Sequence, residues 1–224
     1  MGFEDPELLR IRGTDLQILE YFKLQHHGQL ARLTNWLVTY MQPPDDGLRE
    51  SAIHRELALM DRCALFYTTN FDAFIERAFQ LHGRPCKAVA VEAHMTPQEG
   101  CAEIVKFHGD FDNPDRMVLT ESDYERRLAF TAAMDLRFWS DLLNRTVLFL
   151  GYSFRDPNVS YLFRQVNERF RDLPDSRTGR RAYIVLANPS EFERRLFQVR
   201  NIEVIPVGQN LTDEIAGLLK AIRG

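Results

Sequence analysis

The sequence predicts an α/β fold: a Rossmann-like, mainly parallel sheet with helices on both faces, preceded by an N-terminal helical insert. Three observations carry this. Short apolar runs recur from Ala64 onward, amphipathic stretches separate them, and the first 60 residues contain no strand pattern. Strands alternating with helices of about 10–15 residues form βαβ units, whose parallel strands are buried on both faces and read as apolar runs. The expected organisation is one domain over 1–224, with a helical segment over 1–60 and an α/β nucleotide-binding core over 61–224.

From Asp15 to Met41, Leu16, Leu19, Phe22, Leu30, Leu33, Leu37 and Tyr40 recur mostly at three- and four-residue steps, which predicts helix with a break at Gly28. A second helix is expected from Leu48 to Met60, after the run Pro43-Pro44-Asp45-Asp46-Gly47. Strands are expected at Ala64–Thr68, Ala88–Val91, Glu103–Phe107, Thr146–Leu150, Ala182–Leu186 and Ile202–Val207, with a short one at Arg116–Leu119. Helices are expected after Asp72, over 121–143, 157–170, 190–198 and 211–222.

The bulk numbers exclude several classes. A formal net charge of −4 argues against broad affinity for nucleic acid or anionic membranes, which require clustered excess Lys and Arg. The basic stretch Arg177–Arg181 reads as a solvated loop. No apolar run approaches the roughly 20 residues that cross a bilayer, and the start lacks a secretory pattern, so a cytoplasmic location is expected. Cys63, Cys86 and Cys101 are widely spaced and form no CxxC pair. A zinc ribbon is therefore excluded and a disulfide framework is not expected. The histidines show no ligand spacing, and no metal site is expected.

In open parallel sheets, ligands bind beyond the carboxyl ends of the strands. Three of the runs end in polar residues. After the first, Thr68, Thr69, Asn70 and Asp72 crowd one turn; Asp72 suits the cap of the following helix, and the surplus suggests a site. After the third long run come His108 and Gly109, an imidazole at the mouth of a sheet followed by a residue that permits a sharp turn. After Leu150 comes Gly151-Tyr152-Ser153-Phe154-Arg155-Asp156-Pro157-Asn158. There Asp156 and Pro157 form a strong helix start, and amides of that turn with the Ser153 hydroxyl suit a phosphate.

The motifs TTNFD, KFHGD and FLGYSFRDPN, in that order and at strand ends, resemble the SIR2-like family. Sirtuins carry a TQNID-type motif, an LHG motif with a catalytic His, and a GTS-type motif that grips the nucleotide. FLGYSFRDPN looks closer to the bacterial antiphage branch, whose members destroy NAD. The resemblance covers roughly residues 20 to 207, and Tyr21-Phe22-Lys23-Leu24 with His27-Gly28 is similar to that branch's helical insert. It implies cleavage of the nicotinamide–ribose bond of NAD, with NAD as substrate and no metal. Carried over by motif, Asn70 would hold the nicotinamide ribose and the attacking water, and Asp72 would contact the carboxamide side. His108 would act as base. Gly151 and Ser153 would line the phosphate and adenosine side, and Thr68, Thr69, Asp156 and Asn158 complete the expected NAD-contacting set. Partners implied are NAD or ADP-ribose and a homo-oligomer or defence-system protein.

Two departures shape the expectation. The four-cysteine zinc module of sirtuin deacetylases is absent, which favours plain NAD hydrolysis. The family's first strand and GAGxS-type loop have no counterpart, since the chain opens on Pro6-Glu7-Leu8-Leu9-Arg10; a late start, a partner-supplied loop and a degenerate site all stay open. The main alternative is a catalytically silent module that binds NAD or ADP-ribose or works through protein contacts. A phosphotransferase is disfavoured because no GxxxxGK[ST] loop occurs.

Overall fold

The computed structural model of the chain describes residues 6–41, 44–152, 156–170 and 182–224. Ser153 and the basic stretch Arg177–Arg181 lie outside the described residues. The chain divides into two compact units, Met1–Ala129 and Phe130–Gly224. Each holds a three-stranded parallel sheet with helices packed against it, the α/β arrangement that the sequence predicts.

The first unit opens with α1 (Pro6–Arg12), α2 (Asp15–Gln25), α3 (Ala31–Tyr40), α4 (Asp45–Glu50) and α5 (Ala52–Leu59). Thr14 and Gln17 form a capping box at the start of α2, satisfying amides that have no partner within the helix. The predicted 15–41 helix is split where His27 and Gly28 both take positive φ (52° and 83°), which ends a helix and turns the chain. The predicted 48–60 helix is likewise two. Ser51, at ψ 110°, ends α4, and its side chain accepts from the His54 amide to cap α5.

The sheet of this unit follows: β1 (Leu65–Thr68), α6 (Phe74–Leu81), β2 (Cys86–Val89), β3 (Ala102–Lys106) and then α7 (Glu121–Arg127). Strand order is β1-β3-β2, all parallel. β2 begins two residues before its predicted start, because Cys86 pairs with Ala102 at the foot of β3. Phe79, Ile104, Ala58 and Ala102 are buried together under Leu57, Phe66 and Ile75, and a fully buried Phe contributes about 2–3 kcal/mol. The Arg84 guanidinium lies 4.6 Å from the Phe79 ring centre and donates to the Leu57 carbonyl at 2.9 Å, closing the end of α5 over this core.

The strand predicted at Arg116–Leu119 does not form. Residues 114–116 make a 3-10 turn, and Met117, Val118 and Leu119 are buried without a ladder. Their apolarity serves core packing, and the one strand-like bond is Val118 N–H to the His108 carbonyl (2.9 Å).

The second unit comprises α8 (Ala133–Asn144), β4 (Val147–Phe149), α9 (Pro157–Phe170), β5 (Ala182–Ala187), α10 (Glu191–Val199), β6 (Ile202–Val207) and α11 (Leu211–Arg223). Its strands run parallel in the order β4-β5-β6. Ala182 and Ile184 of the central strand are fully buried, as apolar runs in parallel sheets should be. No helix among the described residues is long and apolar enough to cross a membrane.

Candidate active site

The strand register sets two predicted site residues at matching positions past neighbouring strands. β1 and β3 are hydrogen-bonded neighbours with Thr68 opposite Lys106, and the Phe107 amide extends the ladder to the Thr68 carbonyl at 2.8 Å. Asn70 and His108 therefore each follow by two residues the last paired position of adjacent parallel strands. That is the carboxyl edge where open parallel sheets bind ligands. Asn70 is exposed, and its amide donates to Thr68 Oγ1 (3.1 Å), which fixes the turn. Thr69 is half-buried beside it.

His108 is only 2% exposed. Its Nδ1 lies 3.4 Å from the Tyr124 hydroxyl, and the two rings meet edge to face at 5.1 Å. Burial pushes the imidazole down to a pKa of about 3, helped by the positive charge of Arg127. The Arg127 guanidinium sits 4.0 Å from the Phe107 ring centre and donates to the Phe107 carbonyl. His108 is thus neutral at ordinary pH, because a charge in that place would be desolvated and repelled. Gly109 follows at φ 83°, where an added Cβ would lie 3.0 Å from the Arg116 carbonyl oxygen and 3.1 Å from Met117 Cα. Only glycine fits without strain.

Asp72 is buried, and its Oδ1 accepts from the Phe74 amide at 3.0 Å at the head of α6. The N-cap position itself is Ala73, with no side-chain bond, so Asp72, which the sequence suggested as the cap, serves the first-turn amide from one residue before it. Its carbonyl oxygen accepts from Lys106 Nζ. Lys106, 1% exposed, also pairs with Glu76 Oε1 at 3.3 Å. Burial raises the Glu76 pKa against the opposing pull of Lys106. Burial lowers the pKa of His54, while the charge of Asp72 acts to raise it.

The helical segment supports these loops. Phe22 of α2 and Leu33 of α3 are buried with Met117 and Leu119, and Phe71 and Phe111 pack against that cluster. Phe71 lies between Asn70 and Asp72, so the helical insert grips the loop carrying both. Polar contacts dock α2 on α7: Lys23 Nζ meets Asp123 Oδ1 at 2.9 Å, and the Ser122 amide donates to Glu20 at 2.9 Å. Burial acts to raise the Asp123 pKa, but hydrogen bonds from Lys23 and Thr120 outweigh it and hold the carboxylate low. Since α7 carries Tyr124 and Arg127, this docking bears on the surroundings of His108.

In the second unit, Gly151 is exposed at φ 61°, just beyond β4. Asp156 Oδ1 accepts from the amides of Asn158 (2.9 Å) and Val159 (3.1 Å), as predicted for the cap of α9. Asn158 is fully buried, and both polar atoms of its side chain lack hydrogen-bond partners among the described residues. A cleft at the carboxyl ends of β5 and β6 is lined by Asn188, Pro189, Arg194 and Val207 among others.

Sequence reading passed over Lys106, Glu76, Tyr124 and Arg127. Lys106 had a signal, being a charge inside an otherwise apolar strand, which demands a buried partner. Tyr124 and Arg127 had none, because their relation to His108 depends on how α7 docks.

Comparison with known proteins extends this picture. The family model described as SIR2-like domain matches residues 64–205, and so spans β1 through β6 up to Ile205. The chain is 29% identical over 162 residues to the NAD(+) hydrolase ThsA of Acinetobacter baumannii (strain 532279), covering 71% of this chain and 33% of that protein. It is 27% identical over 199 residues to the NAD(+) hydrolase ThsA of Bacillus cereus (strain MSX-D12), covering 84% and 39%. It is 23% identical over 144 residues to the Defense-associated sirtuin 2 of Bacillus subtilis, covering 63% and 14%. The chain thus spans less than two fifths of the length of each of these relatives.

Proposed function

We infer, on the premise that the chain belongs to the SIR2-like domain family, that it hydrolyses NAD to nicotinamide and ADP-ribose. The observation that carries this reading is the β1–β3 register, which sets Asn70 and His108 at matching positions on one carboxyl edge. Relatives named as NAD(+) hydrolases support the substrate, and a relative named as a defence-associated sirtuin supports a role in bacterial antiphage defence.

In this reading a water oxygen adds to C1′ of the nicotinamide ribose as the C1′–N bond breaks. Nicotinamide leaves with the bonding electrons, and the water's proton passes to His108 or to solvent. Asn70, exposed and uncharged, holds the ribose and the water. Asp72 faces the carboxamide side, and Thr68 and Thr69 complete the β1 edge. His108 accepts hydrogen bonds as a neutral imidazole. At a pKa of about 3 it is a weak base, because general-base catalysis is most effective near the operating pH. For the second unit we assign Gly151, Ser153, Asp156 and Asn158 to the phosphate and adenosine side, on motif and on the unpartnered amide of Asn158. NAD is the small-molecule partner; a homo-oligomer or a defence-system protein is the proposed macromolecular one.

One observation favours a second reading. His108 at 2% exposure suits a silent module that binds NAD or ADP-ribose. Product analysis after incubation with NAD separates the two: hydrolysis yields equimolar nicotinamide and ADP-ribose, lost in Asn70→Ala, whereas a silent module shows saturable binding and no products.

A further inference from the structure

β3 is buried at every residue but Glu103, yet its last paired residue is a lysine. Lys106 is 1% exposed, a place where an ammonium group survives only with strong partners. Its partners lie on another element. Nζ donates to the Asp72 carbonyl in the loop between β1 and α6, and lies 3.3 Å from the Glu76 carboxylate in the first turn of α6. Two residues after Lys106 comes His108, and two residues before Asp72 comes Asn70. The lysine therefore fastens the loop that carries Asn70 to the strand that delivers His108.

The attraction between Lys106 and Glu76 repays only part of the desolvation, which leaves the Glu76 pKa raised, and a buried ion pair is seldom more stabilising than an apolar pair of equal volume. A hydrophobic residue here would pack as well. It would donate nothing to the Asp72 carbonyl, and among the described residues the hydrogen bonds left to the backbone between Thr68 and Phe74 would be those of the Thr68 and Asp72 side chains and of the Arg77 amide, beside the packing of Phe71. What the lysine supplies is directional: a donor that fixes one carbonyl of the site loop.

We propose that Lys106 is a positioning residue for the reaction, holding the Asn70–Asp72 loop in register with His108 through the Asp72 carbonyl, with Glu76 as its counter-charge. This rests on the NAD-hydrolase reading for its kinetic consequence and on geometry alone for its structural one.

The test uses the full chain with Lys106→Met/Glu76→Leu, which removes both charges together and leaves no orphan carboxylate. Lys106→Arg, which keeps a donor, is the rescue variant. Two readouts are taken. In steady-state NAD cleavage, the double variant is expected to lose tenfold or more in kcat with KM changed less than about threefold, and Lys106→Arg to recover part of that loss. In amide hydrogen exchange, the Asn70 and Phe74 amides are expected to exchange at least tenfold faster in the double variant, while β3 amides stay protected. Unchanged exchange at Asn70 and Phe74 in a folded double variant overturns the proposal whether or not NAD is cleaved. Loosened exchange with wild-type kcat overturns it as well. Loosened exchange in a chain whose wild type cleaves no NAD keeps the loop-fastening role and contradicts the hydrolase reading instead.

Discussion

Asn70 and His108 stand at equal distance past a shared strand register, yet they differ in exposure: the asparagine faces solvent and the histidine is 2% exposed. In the proposed reaction the difference gives them different tasks. Asn70 can meet a ligand directly, while His108 is a neutral imidazole buried against the rings of Tyr124 and Phe107.

The first expectation concerns pH. The His108 pKa falls from 6.5 to about 3 in the folded chain through burial and then through Arg127. Above pH 6.5 the imidazole is neutral in both folded and unfolded states, so the histidine adds no pH dependence. As pH falls from 6.5 toward 3, only the unfolded chain takes up this proton, and stability is lost over that window. At pH 5 the penalty is about 2 kcal/mol. Urea unfolding of wild type and His108→Gln at pH 7.5 and pH 5 measures it. The wild type should lose stability relative to the variant by about that amount, and parallel pH dependence would show that His108 is solvated and titrates normally.

A second expectation isolates crowding from backbone strain. Gly83 and Gly109 both take positive φ (72° and 83°), but a Cβ at Gly83 meets open space, while one at Gly109 presses on the Arg116 backbone. Gly83→Ala should cost about 1 kcal/mol, the left-handed penalty alone. Gly109→Ala should cost about 2 kcal/mol or more, since the 116–118 backbone must shift as well. Chemical denaturation of both variants compares them, and equal losses would mean that the 116–118 segment yields freely.

How much of this was legible in sequence follows from which forces are local. The strands at Leu65–Thr68 and Ile202–Val207 announce themselves as apolar runs, and Asp156-Pro157 marks the start of α9, because caps and parallel-strand burial are written in neighbouring residues. Asn70 and His108 stand out locally only as polar residues just past apolar runs, and the roles proposed for them come from the resemblance to SIR2-like proteins. Met117, Val118 and Leu119 misled, since a buried connection between elements is as apolar as a strand. Tyr124 and Arg127 reach His108 only because Lys23–Asp123 and the Phe22 cluster dock the helices, and such docking leaves no local pattern.

Asn158 yields a third expectation. Its buried amide has no partner among the described residues on either polar atom, and such an amide costs about 1–3 kcal/mol. Asn158→Leu should therefore leave the fold as stable or raise its stability. If the amide serves a ligand, the same change should weaken ADP-ribose binding about tenfold or more, as read by calorimetry. A destabilised variant with intact affinity would show that the amide serves the fold alone.

The central claim is that this chain's Asn70–His108 edge cuts the nicotinamide–ribose bond. The most direct measurement is nicotinamide release from NAD by the wild-type chain beside His108→Ala, with both shown to be folded. The expected result is release by the wild type and a loss of about 10²-fold in the variant, the low end of general-base effects, as suits a weak base. Equal release by the two folded proteins, or none from the wild type, would contradict it.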